Sequence, residues 1–463
     1  MDTGARVSGL SDLSSLIKAY DVRGVVPDDW DEDVARSIGA AFAEFVVADS
    51  GATAVVTAHD MRESSIPLSR AFAEGVISRG VDVVEAGLGS TDLLYFAAGS
   101  LDLPGAMFTA SHNPARYNGI KMCRAGAAPI GQDSGLATIR EWAERNDYAR
   151  DPGRLGEVTQ RDVLAEYAAY LRSLVDLSGI RPLTVVVDAG NGMGGHTVPV
   201  VLADLPLEIV PLYFELDGSF PNHEANPLDP ANLVDLQAAV VKHSADIGLA
   251  FDGDADRVFV VDETGEPVSP SAITALVAVR ELAKGRGTTI IHNLITSHAV
   301  PEIVREHGGD PVRTRVGHSF IKAEMARTDA VFGGEHSAHY YFRDFWRADT
   351  GMLAAMHVLA ALGEQGRALS DLTAAYSRYA ASGEINSTVA DAAGRVAAVR
   401  AEYAERDGVT VDELDGLTVE LPDGAWFNLR ASNTEPLLRL NVEAPGEARM
   451  AELRDQVLGM VRA

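Results

Sequence analysis

The sequence predicts an α/β protein: three similar α/β domains with mixed sheets, followed by a smaller C-terminal α+β domain. The first observation is one pattern repeated three times, in which a short β-branched strand precedes a polar or glycine turn and a helical periodicity. The three strands are predicted at residues 54–59, 183–188 and 288–293. The second is a change of texture after about residue 375, where short strand-like segments lead into a helix predicted over 447–461.

Polar turns supply the candidate domain boundaries. Asp151-Pro-Gly-Arg154 follows the first unit, and residues 262–266 form a polar turn after an apolar strand. A chain of 463 residues is long enough to form several cores. We therefore expect domains at 1–155, 156–264, 265–375 and 376–463.

The charge balance restricts the partners of the protein. With 39 basic and 67 acidic residues the formal net charge is −28, which argues against nucleic acid or an anionic membrane as a partner. One cysteine excludes an internal disulfide framework. Residues 1–10 lack a signal-peptide pattern and no apolar run is long enough to span a membrane, so we expect a cytoplasmic protein.

The most informative short segment is Phe108-Thr-Ala-Ser-His-Asn-Pro114. It places Ser111 beside His112, with Lys121 ten residues further on. A serine that carries a phosphoryl group needs hydrogen-bond donors and a cation nearby, and we expect an exposed loop around it. The alternative is an ordinary polar turn closed by Asn-Pro.

A second segment predicts a metal site. Asp252, Asp254 and Asp256 alternate with small residues, so their carboxylates can converge on one hard cation such as Mg²⁺ or Mn²⁺. An EF-hand is excluded because Arg257 stands where that loop requires glycine and because both flanks read as strands. A solvated acidic turn remains the alternative. Together with Ser111, this loop favours phosphoryl transfer; a serine hydrolase is less favoured, since no G-x-S-x-G elbow surrounds the serine.

Residues 190–195 formally match the dinucleotide-binding pattern G-x-G-x-x-G. They follow a predicted strand, and Glu215 lies where a ribose-binding carboxylate is expected. An NAD-binding dehydrogenase is therefore an alternative. A structural turn is the stronger interpretation, because glycines are also required wherever a strand-to-helix turn packs closely.

Two later segments have groups suited to a phosphorylated sugar. In residues 333–339, Glu335 and Ser337 offer a carboxylate and a hydroxyl for sugar hydroxyls, and one of two histidines, His336 or His339, can move protons; a polar turn is the alternative. Residues 430–436 combine Arg430 with small hydrogen-bonding residues in a tight turn, which suits a phosphate. Arg23, close to Tyr20 in the sequence, is a further cation, and others lie around His318.

In this order, the segments 109–114, 252–257, 334–339 and 430–436 resemble those of the α-D-phosphohexomutase family, most closely the bacterial phosphomannomutase/phosphoglucomutase branch. The resemblance covers nearly the whole chain. It implies four domains around a central cleft, with the fourth closing over the substrate.

The resemblance also implies roles for individual residues. Ser111 would be the phosphoserine, and it would hold one Mg²⁺ together with Asp252, Asp254 and Asp256. Glu335 and Ser337 would recognise sugar hydroxyls. Phosphate binding or proton transfer would fall to a larger group: Tyr20, Arg23, His112, Lys121, Arg257, His318, His339, Arg430, Ser432, Asn433 and Thr434.

The implied reaction interconverts mannose 6-phosphate and mannose 1-phosphate, and also glucose phosphates, through a hexose 1,6-bisphosphate that serves as intermediate and activator. Phosphoglucosamine mutase is an alternative, and the chain is expected to be a monomer or dimer. Ala338, Asp92 and Ala58 depart from the residues usual in the family (glycine, proline and glycine). We expect none of the three to touch the chemistry.

Overall fold

The computed structural model describes residues 12–17, 20–285, 287–431 and 437–463. Their contacts divide the chain into two compact units. Unit 1 comprises Met1–Pro267 and His339–Leu369, and unit 2 comprises Val268–Ala338 and Ser370–Ala463. Each unit is built from strands and helices that alternate along most of its length.

The first part of the chain forms β1 (Val22–Val25), α1 (Glu32–Ser50), β2 (Ala54–His59), α2 (Ser65–Ser78), β3 (Asp82–Leu88), α3 (Thr91–Ser100), β4 (Gly105–Phe108), β5 (Tyr117–Cys123), α4 (Leu136–Arg145) and β6 (Val158–Gln160). The six strands form one sheet in the order β1-β5-β4-β2-β3-β6. Strand β2 is parallel to β3 and β4, and β5 is antiparallel to β1 and β4. Since His59 pairs with Phe108, the segments that follow β2 and β4 leave the same edge of the sheet.

The second part forms α5 (Leu164–Leu174), β7 (Leu183–Asp188), α6 (Gly194–Val201), β8 (Leu207–Leu212), α7 (Val234–His243), β9 (Ile247–Phe251), β10 (Val258–Asp262) and β11 (Pro267–Val268). Strand β7 is parallel to β8 and β9, whereas β9 is antiparallel to β10. Asp188 at the end of β7 pairs with Ala250 near the end of β9. The glycine segment after β7 and the aspartate segment after β9 therefore emerge side by side.

The third part forms α8 (Pro270–Lys284), β12 (Thr289–Asn293), α9 (Ala299–Glu306), β13 (Asp310–Thr314), α10 (His318–Thr328), β14 (Phe332–Gly334), β15 (Tyr340–Phe342), β16 (Ala348–Asp349) and α11 (Gly351–Gly363). In unit 2, β12 is parallel to both β13 and β14. In unit 1, β15 and β16 form an antiparallel pair. Every residue of α11 is buried, as its apolar sequence predicts.

The C-terminal part forms α12 (Leu369–Thr373), β17 (Ala380–Thr388), α13 (Ala392–Ala404), β18 (Thr410–Asp412), β19 (Leu417–Glu420), β20 (Trp426–Ala431), β21 (Leu437–Ala444) and α14 (Glu447–Val461). Its five strands form an antiparallel sheet in the order β17-β21-β20-β19-β18. Residues of α13 and α14, among them Tyr403 and Leu453, pack with the strands in one core.

This architecture confirms the predicted fold class. Strands β2 and β7 and helix α14 begin and end where the sequence predicts, and β12 begins one residue later. The domain boundaries after residues 155, 264 and 375 stay predictions. Among the described residues, none of the helices is both long and apolar enough to cross a membrane.

Helices α1 and α2 approach so closely that glycine is required where they cross. A Cβ added to Gly39 would lie 2.1 Å from the Phe72 carbonyl oxygen, and one added to Gly75 would lie 2.0 Å from that of Arg36. Backbone atoms cannot move aside as a flexible side chain can. The crossing fixes α2, which begins three residues after Arg62.

We predict that Gly75→Ala lowers the free energy of unfolding by about 1–3 kcal/mol, because the added methyl group overpacks the helix crossing. Gly459→Ala is the matched control: this helical glycine of α14 has nothing within 4 Å of an added Cβ, so alanine should raise stability by about 0.5–1 kcal/mol. Urea denaturation of both variants measures the difference. A Gly75→Ala protein as stable as the parent would contradict the prediction.

Candidate active site

Ser111 lies in the segment between β4 and β5, and its backbone is in the left-handed region with φ +49°. This conformation is uncommon for residues other than glycine and is held by its surroundings. The Ser111 N–H donates to Thr109 Oγ1 at 2.9 Å. The expected exposed loop is present beyond the serine, where residues 114–116 are exposed, but Ser111 itself is only 6% exposed. The aspartate loop packs directly on it, since a Cβ on Gly253 would lie 2.4 Å from the Ser111 carbonyl oxygen.

Arg62 binds the backbone of the serine loop, which is the segment between β4 and β5 that contains Ser111. Its guanidinium donates to the carbonyl oxygens of Ser111 (2.9 Å), Asn113 (2.7 Å), Pro114 (2.9 Å) and Tyr117 (3.1 Å). The side chain is 1% exposed and also pairs with Asp60. Burial lowers the pKa of Arg62 from its ordinary value, yet a guanidinium remains charged at physiological pH.

Arg62 was not among the predicted site residues. One available signal was the predicted β2 strand, whose carboxyl end carries His59-Asp60-Met61-Arg62; parallel neighbours bring such segments to one edge. Arg23 was predicted, and it also contacts this loop. It donates to the Ala110 carbonyl oxygen at 2.7 Å and to the side-chain oxygen of Asn113.

Asp252, Asp254 and Asp256 meet as the sequence predicts. All three are at most 1% exposed, and one oxygen of each lies within 4.8 Å of the others. Ser111 Oγ donates to Asp252 Oδ2 at 2.8 Å. Among the described residues, Asp254 Oδ1 and Asp256 Oδ1 are buried without a hydrogen-bond partner. Unpaired buried carboxylate oxygens fit a hard divalent cation, so this group can hold a metal ion.

Two cations offset part of the buried negative charge. Lys121 Nζ donates to Asp254 Oδ2 at 2.8 Å and to Asp256 Oδ2 at 2.6 Å, and Arg257 Nε donates to Asp252 Oδ2 at 2.9 Å. Burial lowers the pKa of Lys121, but the two aspartates outweigh it and raise this pKa well above its usual range. Burial raises the pKa of Asp252, opposed by Arg257. Arg257 Nη2 is another buried atom without a partner among the described residues.

Two predicted histidines lie in the same place. His112 Nδ1 is 3.3 Å from Ser111 Oγ. Burial, with Arg257 and Arg23 nearby, lowers the pKa of His112 well below its usual value, so its imidazole is neutral at pH 7. His339 forms a backbone bridge with Arg257, and its Nε2 lies 3.7 Å from Asp256 Oδ1. Unit 1 thus brings five predicted site residues close to the three aspartates: Ser111, His112, Lys121, Arg257 and His339.

Thr91 is a further contact that the sequence did not identify. Its hydroxyl donates to Asp254 Oδ2 at 2.6 Å, and its N–H donates to the Asp254 carbonyl oxygen at 3.0 Å. Asp92, one of the three departures from the family pattern named above, is therefore next to a residue that contacts the aspartate loop. Asp92 thus lies closer to the aspartate loop than we expected from the sequence.

The glycine segment after β7 supports the aspartate loop. A Cβ on Gly192 would lie 2.7 Å from the Gly253 carbonyl oxygen, and one on Gly195 would lie 2.2 Å from that of Phe214. The Met193 N–H donates to the Gly253 carbonyl oxygen at 2.9 Å. The space that a dinucleotide would need beside these glycines is filled by backbone. The structural interpretation is therefore correct and the NAD-binding alternative is not favoured.

The predicted sugar-binding residues lie in unit 2. Glu335 is 2% exposed, and its Oε1 accepts hydrogen bonds from Asn293 Nδ2 (3.2 Å) and the Gly317 N–H (3.3 Å). His318, the first residue of α10, follows Gly317, so it lies near Glu335. Ala338 has φ +65°, a conformation that favours the glycine usual at this position.

The remaining predicted residues are less completely described. Tyr20 is half-buried in the bend before β1. Arg430 lies in β20 with its Nη2 3.8 Å from Glu384 Oε2. Ser432, Asn433 and Thr434 lie outside the described residues, so their predicted contact with phosphate stays a prediction.

Sequence comparison places the chain in a family. Models of all four domains of one enzyme family match it in order: phosphoglucomutase/phosphomannomutase α/β/α domains I, II and III at residues 14–150, 165–265 and 269–379, and the C-terminal domain at 384–460. The chain belongs to the phosphoglucomutase/phosphomannomutase family. It is a phosphohexomutase, an isomerase that acts on phosphorylated hexoses.

Individual relatives extend this result. The chain is 42% identical to a protein of Xanthomonas campestris named "phosphohexose mutases", over 95% of this chain and 97% of the relative. It is 40% identical to a phosphomannomutase of Escherichia coli, over 97% and 99%. A crystal structure of a phosphoglucomutase/phosphomannomutase family protein from Burkholderia thailandensis superposes with a TM-score of 0.88 at 35% identity, covering 97% of each chain. The resemblance stated from the motifs is thereby confirmed.

We predict that Arg62→Lys lowers the free energy of unfolding of this phosphohexomutase by about 3 kcal/mol and also slows the isomerase. Lysine keeps the charge beside Asp60 but cannot reach four carbonyl oxygens at once, so buried acceptors lose their partners. Arg70→Lys, on the exposed side of α2, is the control and should change stability by less than about 0.5 kcal/mol. Denaturation and initial-rate assays measure both effects. Equal behaviour of the two variants would refute the role of Arg62.

We also predict that the effect of Asp92→Asn on stability depends on pH and becomes more favourable to the variant as the pH rises. Burial raises the pKa of Asp92 to about 6, although hydrogen bonds from Ser90, Thr350 and Tyr167 lower it. In the unfolded chain this pKa is about 3.9. Between about pH 4 and pH 6, the folded parent binds a proton at Asp92 that the unfolded chain does not bind. Its free energy of unfolding therefore falls as the pH rises through this range.

The difference in unfolding free energy, Asp92→Asn minus parent, should grow by up to about 1.4 kcal/mol per pH unit in this window and stay constant above about pH 7. Denaturation in EDTA at several pH values measures it. A difference that does not change with pH would contradict the raised pKa.

Proposed function

We propose that this phosphohexomutase interconverts mannose 6-phosphate and mannose 1-phosphate and also accepts glucose phosphates. The choice of mannose rests on the names of relatives that are about 40% identical over nearly the whole chain. The observation that carries the chemistry is the 2.8 Å hydrogen bond from Ser111 Oγ to a buried aspartate triad. That arrangement combines a nucleophilic hydroxyl with groups able to bind a divalent cation.

In the proposed reaction, Ser111 carries a phosphoryl group and transfers it to the free hydroxyl of the hexose phosphate. The product is a hexose 1,6-bisphosphate, which reorients in the site and returns its other phosphoryl group to Ser111. Isomerisation then needs no net gain or loss of phosphate. Because Ser111 is buried, water is kept from the phosphoserine and hydrolysis is suppressed.

The charged groups around Ser111 suit a phosphoryl group in transfer. We assign Lys121 and Arg257 to stabilising its negative charge, and the unpartnered Arg257 Nη2 offers a further donor. Asp252, Asp254 and Asp256, with Ser111, would hold one Mg²⁺. When bound, this ion would neutralise charge on the phosphoryl oxygens.

Proton transfer is assigned to His339. A hydroxyl that attacks a phosphoryl group must lose its proton, and a histidine can accept it near neutral pH. His339 Nε2 lies 3.7 Å from Asp256 Oδ1, so the imidazole is next to the aspartates that surround Ser111. His112 is neutral and lies beside Ser111 Oγ, so we assign it to orienting the serine.

Recognition of the sugar and of its second phosphate is assigned to unit 2. Glu335 and Ser337 would contact the sugar hydroxyls, while Arg430, Ser432, Asn433 and Thr434 would bind the phosphate that does not react, with His318 as a further contact. Tyr20 and Arg23, which belong to unit 1, are further substrate contacts that we propose from the family resemblance. Glu335 supports this role because its carboxylate is already oriented by Asn293 and by the Gly317 N–H. A site oriented before binding loses less entropy when the sugar binds.

The test supplies mannose 6-phosphate, glucose 6-phosphate or glucosamine 6-phosphate separately, with Mg²⁺ and a trace of the matching 1,6-bisphosphate. We expect 1-phosphate from mannose 6-phosphate first, with glucose 6-phosphate also converted. Preference for glucosamine 6-phosphate would replace the proposed substrate by that of the alternative, phosphoglucosamine mutase. No conversion of any of the three would overturn the mutase assignment.

We predict that Ser111→Ala abolishes isomerisation and also a fraction of the protein that is heavier by about 80 Da in intact-mass spectra. Ser78→Ala is the matched control, since Ser78 ends α2 and its hydroxyl donates to the Gly75 carbonyl oxygen. This control should keep both the heavier fraction and the activity. Persistence of the heavier fraction in Ser111→Ala would place the phosphoryl group on another residue.

A further inference from the structure

Asp92 joins three helices of unit 1 through its carboxylate. Oδ2 accepts hydrogen bonds from the Tyr167 hydroxyl of α5 (2.7 Å) and from the hydroxyl of Thr350, the N-cap of α11 (2.6 Å). Oδ1 accepts one from Ser90, the N-cap of α3. Asp92 is 1% exposed, and a buried carboxylate is retained only where such donors satisfy it.

Thr91, the residue before Asp92, connects this hydrogen-bond network to the aspartate loop. The Thr91 backbone and side chain both donate to Asp254, as described above. Thr91 and Lys121 both bind Asp254 Oδ2, which leaves Oδ1 as the unpartnered oxygen of that carboxylate. Together they determine which oxygen is available for a cation.

We propose that Asp92 is a positioning residue for the metal site: by fixing the start of α3 it holds Thr91 against Asp254, and Thr91 orients the Asp254 carboxylate. The inference rests on the metal-binding role assigned to the aspartates in the proposed function. Outer partners of this kind fix the orientation of metal ligands, and their loss typically lowers metal affinity about 10–100-fold.

A proline after the threonine would fix the backbone angle φ covalently. Aspartate leaves the backbone freer and places three side-chain hydrogen bonds at the same point. The same task, to hold Thr91, is here performed by a polar network with Tyr167, Thr350 and Ser90.

The experiment measures Mn²⁺ binding to the full-length, metal-stripped protein by isothermal titration calorimetry, with no substrate present. We expect Thr91→Val to weaken Mn²⁺ binding about tenfold and Thr91→Ser, which keeps the hydroxyl, to restore it to within about twofold. Asp92→Asn should weaken binding several-fold. The double variant Asp92→Asn with Thr91→Val should bind no more weakly than Thr91→Val alone, because both changes act through one contact.

Glu44→Gln is the matched control for general destabilisation. Glu44 is a carboxylate of α1 that pairs with Arg79 and Arg150. Its loss should lower stability without changing Mn²⁺ affinity. As a second readout, the Asp92→Asn enzyme should need more Mg²⁺ for half-maximal activity, while its KM for the hexose phosphate at saturating Mg²⁺ stays that of the parent.

Three results would overturn the inference. Parental Mn²⁺ affinity in Asp92→Asn would reduce Asp92 to a structural role, and additive losses in the double variant would show that it does not act through Thr91. Absence of Mn²⁺ binding by the parent would remove the site itself; the mutase assay with hexose phosphates is a separate measurement and tests the proposed function by itself. If Asp92→Asn does not fold, Thr350→Val removes one donor to Asp92, and an unchanged affinity there would equally contradict the inference.

Discussion

The main electrostatic constraint on unit 1 is the repulsion among three carboxylates that are buried side by side. Like charges in a medium of low dielectric constant destabilise one another strongly, and burial alone would protonate such a group. Lys121 and Arg257 bring two positive charges to the three negative ones of Asp252, Asp254 and Asp256. The negative charge that remains can be offset by a divalent cation, whose surplus positive charge can in turn offset that of a phosphoryl group. The burial, the hydrogen bonds and the close backbone contacts around the triad all maintain this balance.

Sheet topology explains how residues so distant in sequence meet. The serine segment and the Arg62 segment leave one sheet at the ends of neighbouring parallel strands, and the glycine and aspartate segments leave the next sheet in the same way. Where the two sets meet, Gly253 touches the backbone of both Ser111 and Gly192. A side chain at position 253 would separate the loops. The glycines that resemble a nucleotide motif are therefore required for protein packing.

The sequence predicted what is local in the chain: strands, the final helix, the aspartate spacing and the serine segment. It did not reveal Arg62 or Thr91, because their partners are 49 to 163 residues away and depend on which strands become neighbours. It also did not show that Ser111 itself is buried, since a polar segment reads as a surface loop unless the loop that covers it is known. The sequence singled out Asp92 as a departure from the family pattern. Its hydrogen bonds could not be predicted, because they depend on the positions of Tyr167 and Thr350 in the folded protein.

The hydrogen bond between Ser111 and Asp252 has a thermodynamic consequence. A phosphorylated serine has no hydroxyl proton to donate, so phosphorylation exchanges that hydrogen bond for two further negative charges near the aspartates. Binding of a cation and occupancy of the serine are then linked equilibria. The phosphoryl group changes the free energy of cation binding, and the cation changes the free energy of retaining the phosphoryl group by the same amount. In such a protein, the fraction of molecules that carry the phosphoryl group at equilibrium would depend on the metal concentration of the surroundings.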